Sequence, residues 1–489
     1  MAEEVPKTTT TQEEVALADV APAEKPDTDV AVLVEKSTEQ QQEQEQEQAS
    51  PEKKNAPETE DEVSKPEENI PECGSFKEES TIVSDLPETE KKALQELKQL
   101  VQEALDNHEF EKVEDEKKEQ VAGGADVAAD DGAKAVEAVS ESVVCCAEEV
   151  SIWGVALLAD ERSDVILLKF LRARDFKVKE AMAMIKSTIG WRKEFGMEEL
   201  LLEDFGDDLA KAVYMHGFDK EGHPVCYNVY GEFQDRDLYK KTFSDEDKRV
   251  RFLRWRIQFL ERSIRNLDFA PGGISTIVQV NDLRNSPGPA KWELRQATKQ
   301  ALQLFQDNYP EFVAKQVFIN VPWWYLAVNR MISPFLTQRT KSKFVFAGPS
   351  KSAETLLRYI AAEQLPVKYG GLSKDGGEFG ISDAVTEITV KPAAKHTVEF
   401  PVTENCLLSW ELRVIGWDVS YGAEFVPTSE GSYTVIIQKA RKVASSEEPV
   451  LCSNYKIGEP GKVVLTIDNQ SSKKKKLLYR LKVKPSSSD

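Results

Sequence analysis

Histidine and cysteine are scarce in this chain, and most of its possible chemistry goes with them. Its 489 residues include four histidines and six cysteines; Cys73, Cys226, Cys406 and Cys452 stand alone, and only Cys145 and Cys146 adjoin. That spacing supplies neither a zinc framework nor a disulfide scaffold. His216 and His223 flank the turn-rich stretch HGFDKEGHP, but no third ligand at metal spacing accompanies them, so a structural role is expected. His108 and His396 lie far from that pair, which leaves no basis for a histidine-centred catalytic constellation. GxSxG, GxxxxGK[ST], HExxH and a GxGxxG following a strand are all missing, so the chain does not read as an enzyme.

Long apolar runs are missing too. None reaches the ~18 residues of a membrane span, and no apolar leader follows Met1. A cytosolic protein is expected, in which the sequon at Asn469 stays unglycosylated. Cys145 and Cys146 lack the neighbouring basic cluster that would favour acylation. With a net charge of -22 and 40% hydrophobic residues, folded and unfolded regions should alternate. No nucleic-acid partner is expected.

What is present divides the chain into four parts. Residues 1–150 are rich in Glu, Gln, Lys, Thr and Pro, include the near-repeat QQQEQEQEQ at Gln40, and read as a long disordered acidic tail. Within it Leu94, Leu97, Val101, Ala104 and Leu105 recur at helical spacing after Asp85, which predicts a short amphipathic helix near 86–108. Its acidic polar face suits a partner helix or the folded body better than a bilayer. Residues 151–205 read as a helical module. There Val165, Leu167, Leu168 and Leu171 form a stripe behind Ser163 as N-cap, and Val178 to Trp191 repeats the pattern.

Residues 206–381 alternate strands with helices in the manner of an α/β layer. The expected strands are 225–230, 274–280, 317–321 and 344–346. One helix, carrying Phe252, Leu253, Ile257, Phe259, Leu260, Ile264 and Leu267, has two apolar faces. A bulky cluster surrounds Pro322 and Pro334, with Trp323, Trp324, Tyr325 and Phe335 among its members. Taken alone, these are ordinary core residues. Residues 382–486 give short alternating segments divided by Pro, Gly, Asn and Asp, the pattern of an antiparallel β-sandwich.

Five motifs connect the middle of the chain to a known family. DNYPE at Asp307, TKSKFVFAG at Thr340 and LPVKYGG at Leu365, preceded by FLRAR at Phe170 and WR at Trp191, together resemble the CRAL-TRIO lipid-binding family. The resemblance implies an α/β CRAL-TRIO domain with an N-terminal helical module, closed over a phospholipid or another hydrophobic ligand, with no cofactor. It further implies a headgroup site in which Glu311 accepts from ring hydroxyls, Lys343 meets phosphate, Thr340 contributes a hydroxyl, and Arg172 and Arg174 add positive charge. Where family members often continue with a further basic residue, this chain has Asp175. The family also places a mobile gate just after the strand ending at Val321, which would put Trp323, Trp324, Tyr325 and Phe335 at the gate or cavity wall. Paired tryptophans suit a membrane interface. Enclosure has a physical reason: at about 0.8 kcal/mol per methylene, a two-chain lipid with on the order of 30 methylenes would lose roughly 25 kcal/mol if stripped into water.

The last segment resembles a GOLD domain, through WELRVIGWDVSYGAEFVP at Trp410 and LTIDNQSSKKKKLLYRLKV at Leu465. An acidic tail, a CRAL-TRIO unit and a terminal GOLD domain occur together in the patellins. The run Lys473, Lys474, Lys475 and Lys476 reads either as a guard beside an edge strand or as a membrane-facing basic patch. In the second case each lysine near an anionic leaflet adds about 1 kcal/mol. The resemblance implies a phosphoinositide-binding carrier acting peripherally at cytosolic membrane faces in vesicle trafficking and cell division, including the cell plate. The alternative is a membrane-recruited scaffold whose pocket only senses lipid, while the GOLD domain and tail bind protein partners.

Overall fold

The computed structural model describes residues 78–111, 150–287, 291–322, 342–403, 405–416, 418–444 and 449–485. Most of the acidic tail and the expected gate segment, including Trp323, Trp324, Tyr325, Phe335 and Thr340, lie outside these residues. Among the described residues no helix is long and apolar enough to cross a membrane.

The expected amphipathic helix is α1, Glu88–Asp106. It buries Leu94, Leu97, Val101, Ala104 and Leu105 in a core shared with α2 (Arg162–Arg172) and α3 (Val178–Glu194). The helical unit therefore reaches back across the sequence gap to Glu88. A two-strand ribbon, β1 (Ser151–Ile152) and β2 (Val155–Ala156), closes it. Trp153 between those strands stacks on Phe170 at 5.9 Å and meets Phe312 edge-on at 4.5 Å. Ser163 is not the cap of α2: it is buried and donates to the Ala156 carbonyl at 3.0 Å, while Glu161 takes the cap position. The short α4 (Met197–Leu202) leads into the sheet.

Five strands follow in spatial order: β3 (Val213–Phe218), β4 (Pro224–Val229), β5 (Ile277–Asp282), β6 (Val313–Ile319) and β7 (Phe344–Phe346). The β3–β4 pair is antiparallel and the remaining pairs are parallel. Parallel pairing needs crossovers. Between β4 and β5 run α5 (Arg236–Phe243) and α6 (Glu246–Arg265), and between β5 and β6 runs α7 (Trp292–Asn308). Strand parity divides the sheet into two faces. Val225, Tyr227, Val278, Val280, Val317 and Ile319 pack with Leu356 and Leu357 of α8 (Ser352–Tyr359). Cys226 and Ile277 join the helical core on the opposite side.

The C-terminal sandwich consists of two four-stranded antiparallel sheets. One has the order β13-β10-β15-β8, from Leu451–Ile457, Cys406–Ile415, Lys475–Pro485 and Thr386–Val390. The other has the order β12-β11-β14-β9, from Val435–Val443, Val419–Pro427, Gly461–Asn469 and Ala394–Val402. Trp410 anchors the space between them and donates from Nε1 to the Tyr421 hydroxyl at 2.9 Å.

LPVKYGG forms the joint between the two domains. Gly370 has φ +105°, and a Cβ on Gly371 would lie 2.0 Å from the Leu365 carbonyl oxygen, so this turn requires glycine at both positions. Arg413 of the sandwich donates to the Val367 carbonyl at 2.6 Å and the Gly371 carbonyl at 3.0 Å. Arg480 reaches the Leu372 carbonyl at 2.8 Å while paired with Glu411.

Candidate functional site

The site begins with a buried ionic anchor. Arg192 of the WR motif pairs through both Nη atoms with Glu261 of α6, at 2.9 and 2.5 Å, and both residues are buried. The Tyr309 hydroxyl of DNYPE donates to the same carboxylate at 3.0 Å, and its ring meets Trp191 edge-on at 5.9 Å. WR and YPE therefore meet in the core, where Tyr309 fixes the chain as it leaves α7. Two residues later Glu311 takes a left-handed backbone with φ +55°. Such a conformation costs a non-glycine residue roughly 1–2 kcal/mol. The buried Lys169 offsets it, donating from Nζ to the Glu311 and Ser275 carbonyls at 2.9 Å each while lying over the Phe312 ring.

That backbone turns the Glu311 carboxylate toward Lys343, which sits directly before β7. Lys343 Nζ lies 2.8 Å from Glu311 Oε2. Both line a cavity of about 190 Å³ together with Lys169, Arg172 and the segments Glu78–Thr81 and Gly272–Thr276. Burial pulls Lys169 down to about 7, Arg172 and Lys343 push in the same direction, and Glu78 and Glu311 oppose them. His223 beside this cavity behaves oppositely. Burial disfavours its charge, but Asp219 on Nδ1 and Glu78 on Nε2, each at 3.0 Å, outweigh burial and raise it to about 9. With a carboxylate on each ring nitrogen, both must carry protons, and the side chain is an imidazolium. His216 bonds separately to Ser373 at 2.8 Å.

Glu311, Lys343 and Arg172 thus come together as the motifs imply. Arg174 does not join them: it is not among the residues lining the cavity, and its Nη1 donates to the Ala173 carbonyl at 2.9 Å. The reason is local. After α2 ends at Arg172, Asp175 and Phe176 both take positive φ, and the Phe176 amide closes the turn onto the Leu171 carbonyl, so the chain bends away just past Arg172.

The lysine run is also divided. Lys473 and Lys474 are exposed, whereas Lys475 donates to the Gly416 carbonyl and Lys476 pairs with Glu387 at 3.0 Å. The strand they open, β15, is interior to its sheet, so the run does not guard an edge of its own.

Three participants were missed by sequence reasoning. Lys169 carried a signal, a lone lysine inside the apolar run Leu167–Leu171. Thr276 and Glu78 carried none, because only the fold brings Glu78 to the sheet.

On the sheet face toward α6 and α7, Asn228 donates to Asn281 at 3.0 Å and accepts from Arg256 at 2.9 Å, beside a second cavity of about 50 Å³. Farther along, Phe318 stacks on Phe346 at 5.0 Å and lies 6.0 Å from Phe344, giving the sheet an aromatic end.

Comparison with known proteins agrees with this architecture. Residues 93–187 match the CRAL/TRIO N-terminal domain, 210–371 the CRAL/TRIO domain, and 391–475 the Patellin-1-like C-terminal GOLD domain. The first of these includes most of α1. Patellin-3 of Arabidopsis thaliana is 60% identical over 416 residues, covering 84% of this chain and 78% of that protein. Patellin-5 of the same plant is 59% identical, covering 84% of this chain and 56% of that protein. Phosphatidylinositol transfer protein SFH5 of Meyerozyma guilliermondii is 32% identical over 235 residues, covering 45% and 67% respectively. With a CRAL-TRIO unit docked through LPVKYGG onto a GOLD sandwich, and with this identity across most of its length, the chain belongs to the patellin family.

Proposed function

We propose that this chain binds a phosphoinositide-type lipid and carries it between membranes, working as a binding protein rather than an enzyme. The observation that supports this most is the Glu311–Lys343 pair at the edge of a cavity that also holds Arg172 and Lys169. A carboxylate and an ammonium side by side match ring hydroxyls and phosphate, the two polar features of an inositol headgroup. Family membership and the similarity to a phosphatidylinositol transfer protein support the same ligand class. Action at membranes in vesicle trafficking, with the cell plate as one place of work, follows from the family resemblance. The test is transfer of labelled phosphatidylinositol between vesicles: wild type moves it and Lys343→Ala does not.

A scaffold reading has one observation in its favour. On edge strand β12 Val435 and Ile436 are exposed, with Tyr433 just before it, as a protein partner would require. Binding to phosphoinositide vesicles without any transfer would favour that reading.

A further inference from the structure

One contact set in the cavity belongs to neither the anchor nor the Glu311–Lys343 pair. The segment Glu78–Thr81 lies along the cavity wall and occupies groups that bind anions. Glu78 accepts from Thr276 Oγ1 at 2.6 Å and from the imidazolium of His223 at 3.0 Å. Glu79 lies 2.8 Å from Arg172 Nε, and the Ser80 carbonyl accepts from Arg172 Nη2 at 2.6 Å. The Gly272 amide donates to Thr81 Oγ1 at 2.8 Å. The segment is neither helix nor strand, and α1 begins only at Glu88. Its displacement breaks side-chain contacts, among them Ser80 Oγ to Asp85 at 3.0 Å, but no hydrogen bond of a helix or strand ladder.

We infer that Glu78–Thr81 is a built-in stand-in for an anionic headgroup, and that Arg172, His223 and Thr276 beneath it form a second subsite, which takes a phosphate monoester on the headgroup ring by displacing the segment. This rests on the headgroup reading of Glu311 and Lys343. The physical ground is charge replacement. Arg172 and His223 are both buried, so emptying the subsite takes one carboxylate from each, Glu79 from Arg172 and Glu78 from His223, which keeps Asp219. A neutral ring cannot compensate them, whereas a phosphate monoester brings up to two negative charges and three acceptor oxygens. Phosphatidylinositol should bind with the segment in place, and phosphatidylinositol 4-phosphate should expel it.

The full chain and its E78Q/E79Q double variant are compared on phosphatidylcholine vesicles carrying either lipid. Loss of a charge-assisted competitor should tighten binding to the 4-phosphate vesicles by about tenfold more than binding to the phosphatidylinositol vesicles. On the wild type, soluble inositol 1,4-bisphosphate should accelerate cleavage after Glu78 and Glu79 by a glutamate-specific protease. Equal affinity of the variant and wild type for the 4-phosphate vesicles overturns the inference, as does unchanged cleavage at saturating bisphosphate. Equal acceleration by inorganic phosphate overturns the selection of a headgroup. Lys343→Ala separates the two levels: if it keeps both lipids, the headgroup reading itself fails, whereas if it loses both while E78Q/E79Q changes nothing, only the displaceable segment fails.

Discussion

Exchanging the charges of Glu311 and Lys343 separates what that pair does for the fold from what it does for a ligand. The two groups are 2.8 Å apart, with side chains only 11% and 16% exposed. Unit charges about 4 Å apart interact by about 4 kcal/mol at an effective dielectric near 20. Lys343→Glu replaces that attraction with repulsion between two carboxylates, and relaxation into the open cavity recovers part of the loss. A net destabilisation of about 2–4 kcal/mol is expected. The double exchange Glu311→Lys with Lys343→Glu restores an opposite-charge pair. Lys169 still holds the backbone at residue 311, because it bonds the carbonyl rather than the side chain. More than half of the lost stability should return, less than all, because the new cation would face Lys169. Headgroup binding should not return, since the phosphate would now meet a carboxylate. Guanidinium unfolding followed by tryptophan fluorescence reads the first quantity and vesicle co-sedimentation the second. A double exchange that binds inositol-lipid vesicles like wild type would refute the assigned roles.

Three further outcomes follow from the same geometry. Arg192→Met leaves Glu261 buried without its main partner and should cost about 3–5 kcal/mol in chemical denaturation, whereas adding Glu261→Met should recover much of it. His223 and Lys169 make opposite contributions with pH. His223, raised from 6.5 to about 9, stabilises fully below pH 6.5 and loses that stability as pH rises through 9. Lys169, lowered from 10.5 to about 7, stabilises above 10.5 and loses that stability as pH falls through 7. Near pH 8 the two slopes have opposite sign and each is on the order of 1 kcal/mol per pH unit, so the wild-type pH dependence should be shallow there while His223→Gln grows more stable toward pH 9. In the sandwich, buried Asn469 donates to the Lys391 and Lys473 carbonyls at 2.9 Å each, so Asn469→Ala should lower the GOLD unfolding midpoint by an amount equivalent to about 1–3 kcal/mol. The same burial leaves the sequon nitrogen inaccessible to a glycan in the folded domain.

The architecture was legible wherever a pattern recurs over several residues. The β-sandwich strands at Leu407, Val419, Lys462 and Leu477 could be read from alternation, because one face of each is buried. Strand β13 could not, since on that edge strand only Leu451 and Ile457 at its ends are buried and the residues between are largely polar. Strand β3 was hidden because His216 and Gly217 look like the start of the turn that follows, while they still belong to a partly exposed edge strand. Of the residues chosen by motif matching, Glu311, Lys343 and Arg172 line one cavity, and their positions depend on local chain geometry. Arg174, chosen with them, does not line that cavity, and no spacing rule shows that two successive positive φ values will bend the chain beyond Arg172. Glu78 was illegible for a different reason. Its partners His223 and Thr276 lie 145 and 198 residues away, and nothing in an acidic stretch marks which glutamate meets a buried cation.

Native mass spectrometry of the full chain purified from a eukaryotic host tests the central claim most directly. A single inositol phospholipid retained per chain, and lost in Lys343→Ala, is the result expected if Glu311 and Lys343 hold the headgroup. A chain that carries no lipid, or a variant that keeps the same inositol lipid at the same occupancy, would contradict it.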